Sequence, residues 1–345
     1  MFGGIGDFII GTSAIRLIKN TYPDAKITVM APPGAAEIVR NHPFIDEVIA
    51  FQYESNSFPV TKHIELLKYI RRKQFDLSIS LDCKDRFALL TFLASIPTRI
   101  GADKINHLKP KITIASILNT HQIHIPYHLD TVHQTVVYQY FVKSFFGIDA
   151  NICKPLVIHP TLCDEEKALS LLALLPPAKY KIAYCIKGKD HKSKPPGKDW
   201  PQASFLDLIN QIHLHYDAVQ FIIGAKTDEA YITQLCAQTE TPIYQFGGKT
   251  TLPELASLLK SVDLLITVDT GIMHLAAMLD VPTVAIYRRS SPVKWAPCNP
   301  KATIIYEQGL VKDTITTECI SISSKTISVP DVFAAVAHRL MPDRA

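Results

Sequence analysis

Four short stretches of this chain bring together residue types that carry chemistry. The first is Gly3-Gly4-Ile5-Gly6-Asp7, directly ahead of a helical pattern that starts near Phe8. Glycines at a helix entrance let the backbone approach a ligand and present N–H groups to an anion, so Gly4 and Gly6 are candidate phosphate-loop positions. Asp7 at that entrance is kept ionised by the helix macrodipole. It then serves either as a general base or only as an N-cap. No strand precedes the glycines, which argues against a dinucleotide fingerprint. The second stretch is Val268-Asp269-Thr270-Gly271-Ile272-Met273-His274-Leu275, after the apolar run 264–268. Ligands of open parallel sheets bind beyond the carboxyl ends of the strands. There, Asp269, Thr270 and Gly271 offer a carboxylate, a hydroxyl and backbone N–H groups, with His274 one turn further on the same helix face. A capped helix start with a buried histidine accounts for the same residues.

The third stretch, residues 187–198, holds five lysines and one histidine and runs into Lys198-Asp199-Trp200-Pro201. Most of these lysines read as solvated. Lys198 is the one placed to reach a pyrophosphate, because it adjoins a segment that Trp200 would anchor on the core. The fourth is Arg288-Arg289-Ser290-Ser291, just past the apolar run 283–287. It is either a phosphate contact or a surface charge pair.

These stretches need elements to hold them. Strand-like runs at 26–30, 47–51, 77–81, 181–186, 218–223, 264–268 and 283–287 alternate with apolar residues spaced by three and four. Such alternation predicts α/β architecture, with parallel sheets covered by helices on both faces. It occurs twice, separated near 150–180, where Pro155, Pro160, Pro176 and Pro177 flank a helical pattern at 165–175 and mark a linker. The expected layout is two doubly wound, Rossmann-like domains facing a cleft, at 1–160 and 178–328. A last helix within 329–345 is expected to pack back on the first domain.

Composition bounds the function. A length of 345 residues suits two domains, and 47% hydrophobic with 20% charged residues is globular. Disordered, collagen-like and disulfide-stapled classes are excluded. Lys+Arg exceed Asp+Glu by only 36 to 32, too little for a general nucleic-acid binder. The seven cysteines have no CxxC spacing, so neither a zinc site nor a disulfide framework is indicated, and they read as reduced thiols. No apolar run reaches the ~18 residues of a membrane span, and the N-terminus lacks a signal-peptide pattern. The expected location is the cytosol.

The residues also resemble a known family. Gly6-Asp7, Thr12, Ala14-Ile15-Arg16-Leu17-Ile18-Lys19 and Tyr22-Pro23 are similar to the start of glycosyltransferase family 9, which contains the ADP-heptose:lipopolysaccharide heptosyltransferases. The likeness continues through Pro43-Phe44-Ile45-Asp46-Glu47-Val48-Ile49, Phe75-Asp76-Leu77-Ser78-Ile79 and Arg99-Ile100-Gly101. It resumes at Lys198-Asp199-Trp200-Pro201, at Thr251-Leu252-Pro253-Glu254-Leu255-Ala256 and, most specifically, at 268–277. Pro282-Thr283-Val284-Ala285-Ile286-Tyr287 and Trp295-Ala296-Pro297 complete it.

The resemblance implies a GT-B fold and inverting, metal-independent transfer of a heptose from ADP-heptose to the inner core of lipopolysaccharide, without a cofactor. Asp7 would be the catalytic base. Lys198 would hold the donor diphosphate, and Asp269, Thr270, Gly271 and His274 would contact diphosphate and sugar. Gly224, with Asp228 and Glu229 after it, would reach the ribose. An anionic acceptor would meet Arg71, Arg72, Lys73, Lys104, Lys109 and Lys111 on the first domain, either as a binding face or as an ordinary solvated one. A lipid acceptor further implies peripheral contact with the inner membrane, for which a modest basic patch suffices.

Two departures stand out. Family members carry an apolar strand directly before the Gly-Asp turn, which this sequence lacks, so a start upstream of Met1 is expected and Asp7 is left without that support. Arg288-Arg289 stands where the family has glycine followed by a small residue or proline. Two alternatives therefore remain: a family 9-like transferase for another nucleotide sugar or acceptor, and a non-catalytic nucleotide-sugar-binding paralogue.

Overall fold

The computed structural model describes residues 4–51, 60–81, 85–102, 113–126, 131–188, 198–311 and 315–341. The chain divides into two compact units. One comprises Met1–Ala36 with Phe44–Pro155, the other Glu37–Pro43 with Leu156–Ala345.

The first unit contains α1 (Ile5–Thr21), β1 (Thr28–Ala31), β2 (Glu47–Ala50), α3 (Val60–Lys73), β3 (Leu77–Ser80), α4 (Asp85–Leu93), β4 (Thr98–Ala102), α5 (Ile114–Leu118), β5 (His121–Ile123) and α6 (Gln134–Phe146). Helix α2 (Pro33–Val39) crosses the boundary between the units. Helix α1 starts three residues earlier than its apolar periodicity implies. Gly4 is its N-cap, in extended backbone without a side-chain cap, and Asp7 falls in the first turn. The N-cap reading of Asp7 is thereby corrected. Phe8, Ile9, Ile10, Ala14 and Leu17 are buried, and α1 packs on α6. Arg16 fixes the pair to the end of the unit, its Nε and Nη2 donating to the carbonyls of Lys154 and Pro155 at 2.9 Å each. Helix α6 ends on Gly147, whose left-handed φ of 64° lets its N–H close on the Lys143 carbonyl.

The strands of this unit form two parallel sheets, β1–β2 and β3–β4–β5. Among the described residues no strand joins them. Edge strands β1 and β3 instead both line a cavity of about 1360 Å³, roofed by residues of α1 and α6 such as Phe8, Ile15, Val142 and Phe146.

The second unit continues with α7 (Leu162–Leu172), β6 (Tyr180–Cys185), α8 (Gln202–His215), β7 (Ala218–Ile222), α9 (Glu229–Cys236), β8 (Tyr244–Gln245), α10 (Leu252–Leu259), β9 (Leu264–Val268), α11 (Gly271–Met278), β10 (Thr283–Tyr287), α12 (Pro292–Trp295), β11 (Ala302–Glu307), β12 (Ile320–Ser324) and α13 (Val329–Leu340). Its seven strands are all parallel, in the order β12-β11-β10-β9-β6-β7-β8. Chain order runs outward from β6 in one direction and from β9 in the other, so a topological switch lies between them. Strands β9 and β10 are buried along their whole length, as expected of parallel strands covered on both faces. Helix starts are set by side chains: Thr161 with Asp164, Thr251 with Glu254 and Ser328 with Asp331 form reciprocal capping boxes.

Two expectations change here. The stretch read as a linker belongs to the second unit from Leu156 onward, where α7 packs on α10. The last helix, expected against the first domain, packs on α8, β9, β10 and β11 of its own unit. Val332, Ala335 and Val336 join the core there, and Arg339 Nη2 donates to the Ala302 carbonyl at 2.5 Å.

The core of this unit holds neutral ionisable groups. Burial pushes the hydroxyls of Tyr184 and Tyr287 well above their ordinary value, and the Cys185 thiol up to about 11. An unfolded chain ionises these groups at ordinary values, so the folded state loses relative stability once pH passes about 9. The melting temperature should therefore fall between about pH 8 and pH 10.5, read by circular dichroism, and a flat profile would contradict the burial of these groups.

Candidate active site

The switch between β6 and β9 is where three chain segments meet. Past β6, Gly188 donates its N–H to Asp199 Oδ1 at 2.9 Å, which draws the returning segment 198–199 up to the strand end. Trp200 then plugs into the core, its ring edge-on to Phe205 at 5.0 Å and its Nε1 donating to the Ile327 carbonyl at 3.0 Å. That anchor fixes the two preceding residues. Lys198 Nζ lies 2.5 Å from Asp269 Oδ2, the first residue beyond β9. Asp269 is 8% exposed and also accepts from Ser290 Oγ, past the end of β10. A carboxylate taken out of water needs such partners, since an unpaired buried charge is strongly unfavourable.

Helix α11 begins immediately after Asp269. Thr270 is its N-cap but makes no side-chain cap bond to the helix. Its hydroxyl lies instead 3.4 Å from Thr267 Oγ1 and 3.8 Å from Cys185 Sγ. The start of α11 and the Lys198–Asp269 pair thus lie together at the carboxyl edge of the sheet, the edge at which doubly wound folds bind their ligands. His274, one turn into α11, is buried.

Arg288 was a candidate phosphate contact, and here it reaches into the protein. Its Nε donates to Glu307 Oε1 at 2.9 Å and its Nη1 to the backbone carbonyl of Asp199 at 2.7 Å. Gly224 lies past β7, where its carbonyl accepts the Gly248 N–H at 2.9 Å. Asp228 Oδ2 holds the Ala225 N–H at 3.0 Å, and Glu229 opens α9 with its side chain exposed.

Asp7, Gly4 and Gly6 lie in the first unit at the start of α1. Arg71 and Arg72 are exposed in the last turn of α3, and Arg72 Nε donates to the Lys68 carbonyl of its own helix at 3.2 Å. That is the placement of cations that complement a helix dipole. Lys104, Lys109 and Lys111 fall outside the described residues. Lys73 pairs with Glu47 at 3.0 Å, and hydrogen bonds from Tyr69 and Lys73 hold the Glu47 carboxyl below its usual range. Among the described residues no group of three or more His, Cys, Asp or Glu is arranged to hold a metal ion.

Three participants were not singled out from sequence: Ser290 as the partner of Asp269, the Asp199 carboxylate, and Glu307. The strand registers reveal them. Ile286 pairs with Val268, and Tyr287 with Tyr306. The residues just beyond, Asp269, Arg288, Ser290 and Glu307, are thereby brought to one edge.

A two-unit α/β chain of parallel sheets is a broad class, and the comparisons specify it. A family model described as glycosyltransferase family 9 (heptosyltransferase) matches residues 63–320. Lipopolysaccharide heptosyltransferase 2 of Salmonella typhimurium is 27% identical over 309 residues, covering 87% of this chain and 85% of the relative. Lipopolysaccharide heptosyltransferase 3 of Escherichia coli K12 is 24% identical over 350 residues, covering 99% and 96%. Two solved structures share the fold at 20% identity: E. coli ADP-heptose lps heptosyltransferase II (TM-score 0.77, 99% of this chain and 97% of that one) and a family 9 glycosyl transferase from Veillonella parvula (TM-score 0.80, 99% and 96%). The chain belongs to glycosyltransferase family 9; it is a glycosyltransferase of GT-B fold.

Removal of the Ser290 hydroxyl isolates the contribution of the buried carboxylate. Ser290→Ala should lower the stability of the second unit by about 1–3 kcal/mol, read as a lower urea midpoint. An unchanged midpoint would mean that Lys198 alone satisfies Asp269.

Proposed function

We propose that this chain transfers a heptose from ADP-heptose to an inner-core acceptor of lipopolysaccharide, with inversion and without a metal ion. The observation that carries the reading is the convergence of Lys198, the Asp269–Thr270–Gly271 turn and the start of α11 on one point at the sheet switch. Relatives named as lipopolysaccharide heptosyltransferases support the sugar and acceptor class. The donor diphosphate sits against the α11 N–H groups and the Lys198 ammonium, with Asp269, Thr270 and His274 toward the sugar, and Gly224 and Glu229 toward the ribose. Asp7 takes the proton from the acceptor hydroxyl. The freed oxygen attacks the anomeric carbon from the face opposite the diphosphate, the C–O bond to the diphosphate breaks, and ADP leaves with its charge met by Lys198. Arg71 and Arg72 offer positive charge to an anionic acceptor. Contact with the inner membrane is peripheral in this reading; no described helix is long and apolar enough to cross one.

A second reading, transfer of another nucleotide sugar, draws on Arg288-Arg289, which stands where the family has glycine and a small residue or proline. Nucleotide binding separates the two. ADP at about 100 times its dissociation constant adds ~2.7 kcal/mol and raises the melting temperature by roughly 5–10 °C. A shift with UDP or GDP in place of ADP would favour the second reading.

Turnover tests the roles. Asp7→Asn should abolish transfer and leave ADP affinity within about 3-fold, because the base acts on the acceptor. Undiminished turnover in this variant would overturn the role of Asp7. Lys198→Ala should weaken donor binding and slow turnover together, at about 10²-fold or more in kcat/KM.

A further inference from the structure

Arg288 has the wrong surroundings for a ligand contact and the right ones for a strut. Strand register sets its first partner. Tyr287 of β10 lies opposite Tyr306 of β11, so the next residues, Arg288 and Glu307, face each other, and Nε donates to Glu307 Oε1 at 2.9 Å. The other end of the same planar group, Nη1, donates at 2.7 Å to the carbonyl of Asp199. Asp199 directly follows Lys198, and its own carboxylate is engaged by the Gly188 N–H at 2.9 Å. The ring then closes: Lys198 binds Asp269, Asp269 accepts from Ser290, and Ser290 is two residues past Arg288. Six side chains at four strand ends are linked in this way around Lys198 and Asp199.

We propose that Arg288 is a positioning residue for donor binding, acting through Lys198 and not by touching phosphate. This rests on the reading that Lys198 holds the donor diphosphate. Lys198 is a long side chain that keeps a third of its surface exposed. By itself it samples many rotamers, and ordering it opposes binding. With the Asp199 carbonyl pinned by Arg288 and the ammonium paired with Asp269, that ordering precedes the arrival of the ligand. Only a guanidinium serves here, because its rigid fork bonds a carboxylate on one side and a carbonyl on another. The same bonds explain how arginine is accommodated at the end of β10: its charge is paired with Glu307 and its bulk lies along the 198–199 turn.

A double-mutant cycle on ADP affinity, measured by calorimetry, tests this. Wild type, Arg288→Gln, Lys198→Ala and the double variant are compared, with Arg288→Lys as a charge-retaining variant and Glu307→Gln as one that keeps an acceptor oxygen for Nε. Arg288→Gln should weaken ADP binding about 5- to 20-fold, yet add less than about 2-fold in the Lys198→Ala background, because contacts in one network are not additive. Arg288→Lys should lose affinity in the same direction, and Glu307→Gln, which keeps an acceptor but removes the paired charge, should lose less than Arg288→Gln. Two independent, multiplying losses would place Arg288 on the phosphate itself and overturn the proposal. So would full ADP affinity in a folded Arg288→Gln or Arg288→Lys. If the wild type binds neither ADP nor UDP, or binds ADP no better than Lys198→Ala, the donor-site reading fails as well, an outcome distinct from failure of the strut alone.

Discussion

The second unit is organised around a carboxylate that is almost withdrawn from water. Asp269 emerges from a fully buried strand, and an unpartnered charge at that depth would cost several kcal/mol. The chain answers with Lys198 and Ser290, each delivered from a different strand end. Each partner in turn requires its own segment to be held: Trp200 fixes the lysine turn in the core, and the β9–β10 register fixes Ser290. The geometry at the sheet edge follows from satisfying one buried group, and the same constraint leaves a lysine and a helix start pointing at one place.

The sheet order makes that place a site. Between β6 and β9 chain order turns outward in opposite directions, the arrangement at which open α/β sheets bind ligands beyond their strand ends. Helix α11 begins there with a threonine whose hydroxyl turns towards Thr267 and Cys185 and does not cap the helix. In the first unit the corresponding feature is the start of α1, where Gly4 likewise gives no side-chain cap and Asp7 occupies the first turn. In the proposed function the first of these helix starts, with Lys198 beside it, serves the anionic donor and the second, with Asp7, serves proton removal.

How much of this was legible in sequence depended on burial and on register. Strands β9 and β10 are covered on both faces, so they read as unbroken apolar runs and their bounds are those expected. Strand β12 is Ile-Ser-Ile-Ser-Ser on an exposed edge, and β8 is two residues long; neither leaves a run to detect. Strand β4 contains Arg99 and Gly101, which mask its pattern. Lys198, Asp269 and Thr270 were legible because strand ends and glycine turns mark them locally. Their mutual contact was not, since 71 residues separate the lysine from the aspartate. The link from Arg288 to Glu307 was further out of reach, because it needs both β11 and its alignment with β10. The sequence reading of Arg288 as a phosphate contact used the right location and lacked the neighbour that claims the side chain. The packing partners of the last helix were out of reach for a similar reason: amphipathicity says that a face will be buried but not against what.

The charge balance of the cluster bears on how it can recognise a ligand. Lys198 is paired with Asp269 and Arg288 with Glu307, and a third carboxylate, that of Asp199, accepts the Gly188 N–H. This described ring is therefore no reservoir of positive charge that draws anions from a distance. What it offers is directional: a pre-ordered ammonium and the first-turn N–H groups of α11, all at one point. Directed donors of this kind discriminate by geometry, because a ligand must place its oxygens where the N–H groups aim. They also favour charge that builds up during reaction over charge already shielded by water. A departing diphosphate has that requirement. In the proposed reaction a cluster without excess positive charge, rigid because both its cations are already paired, meets it better than a loose patch of lysines would.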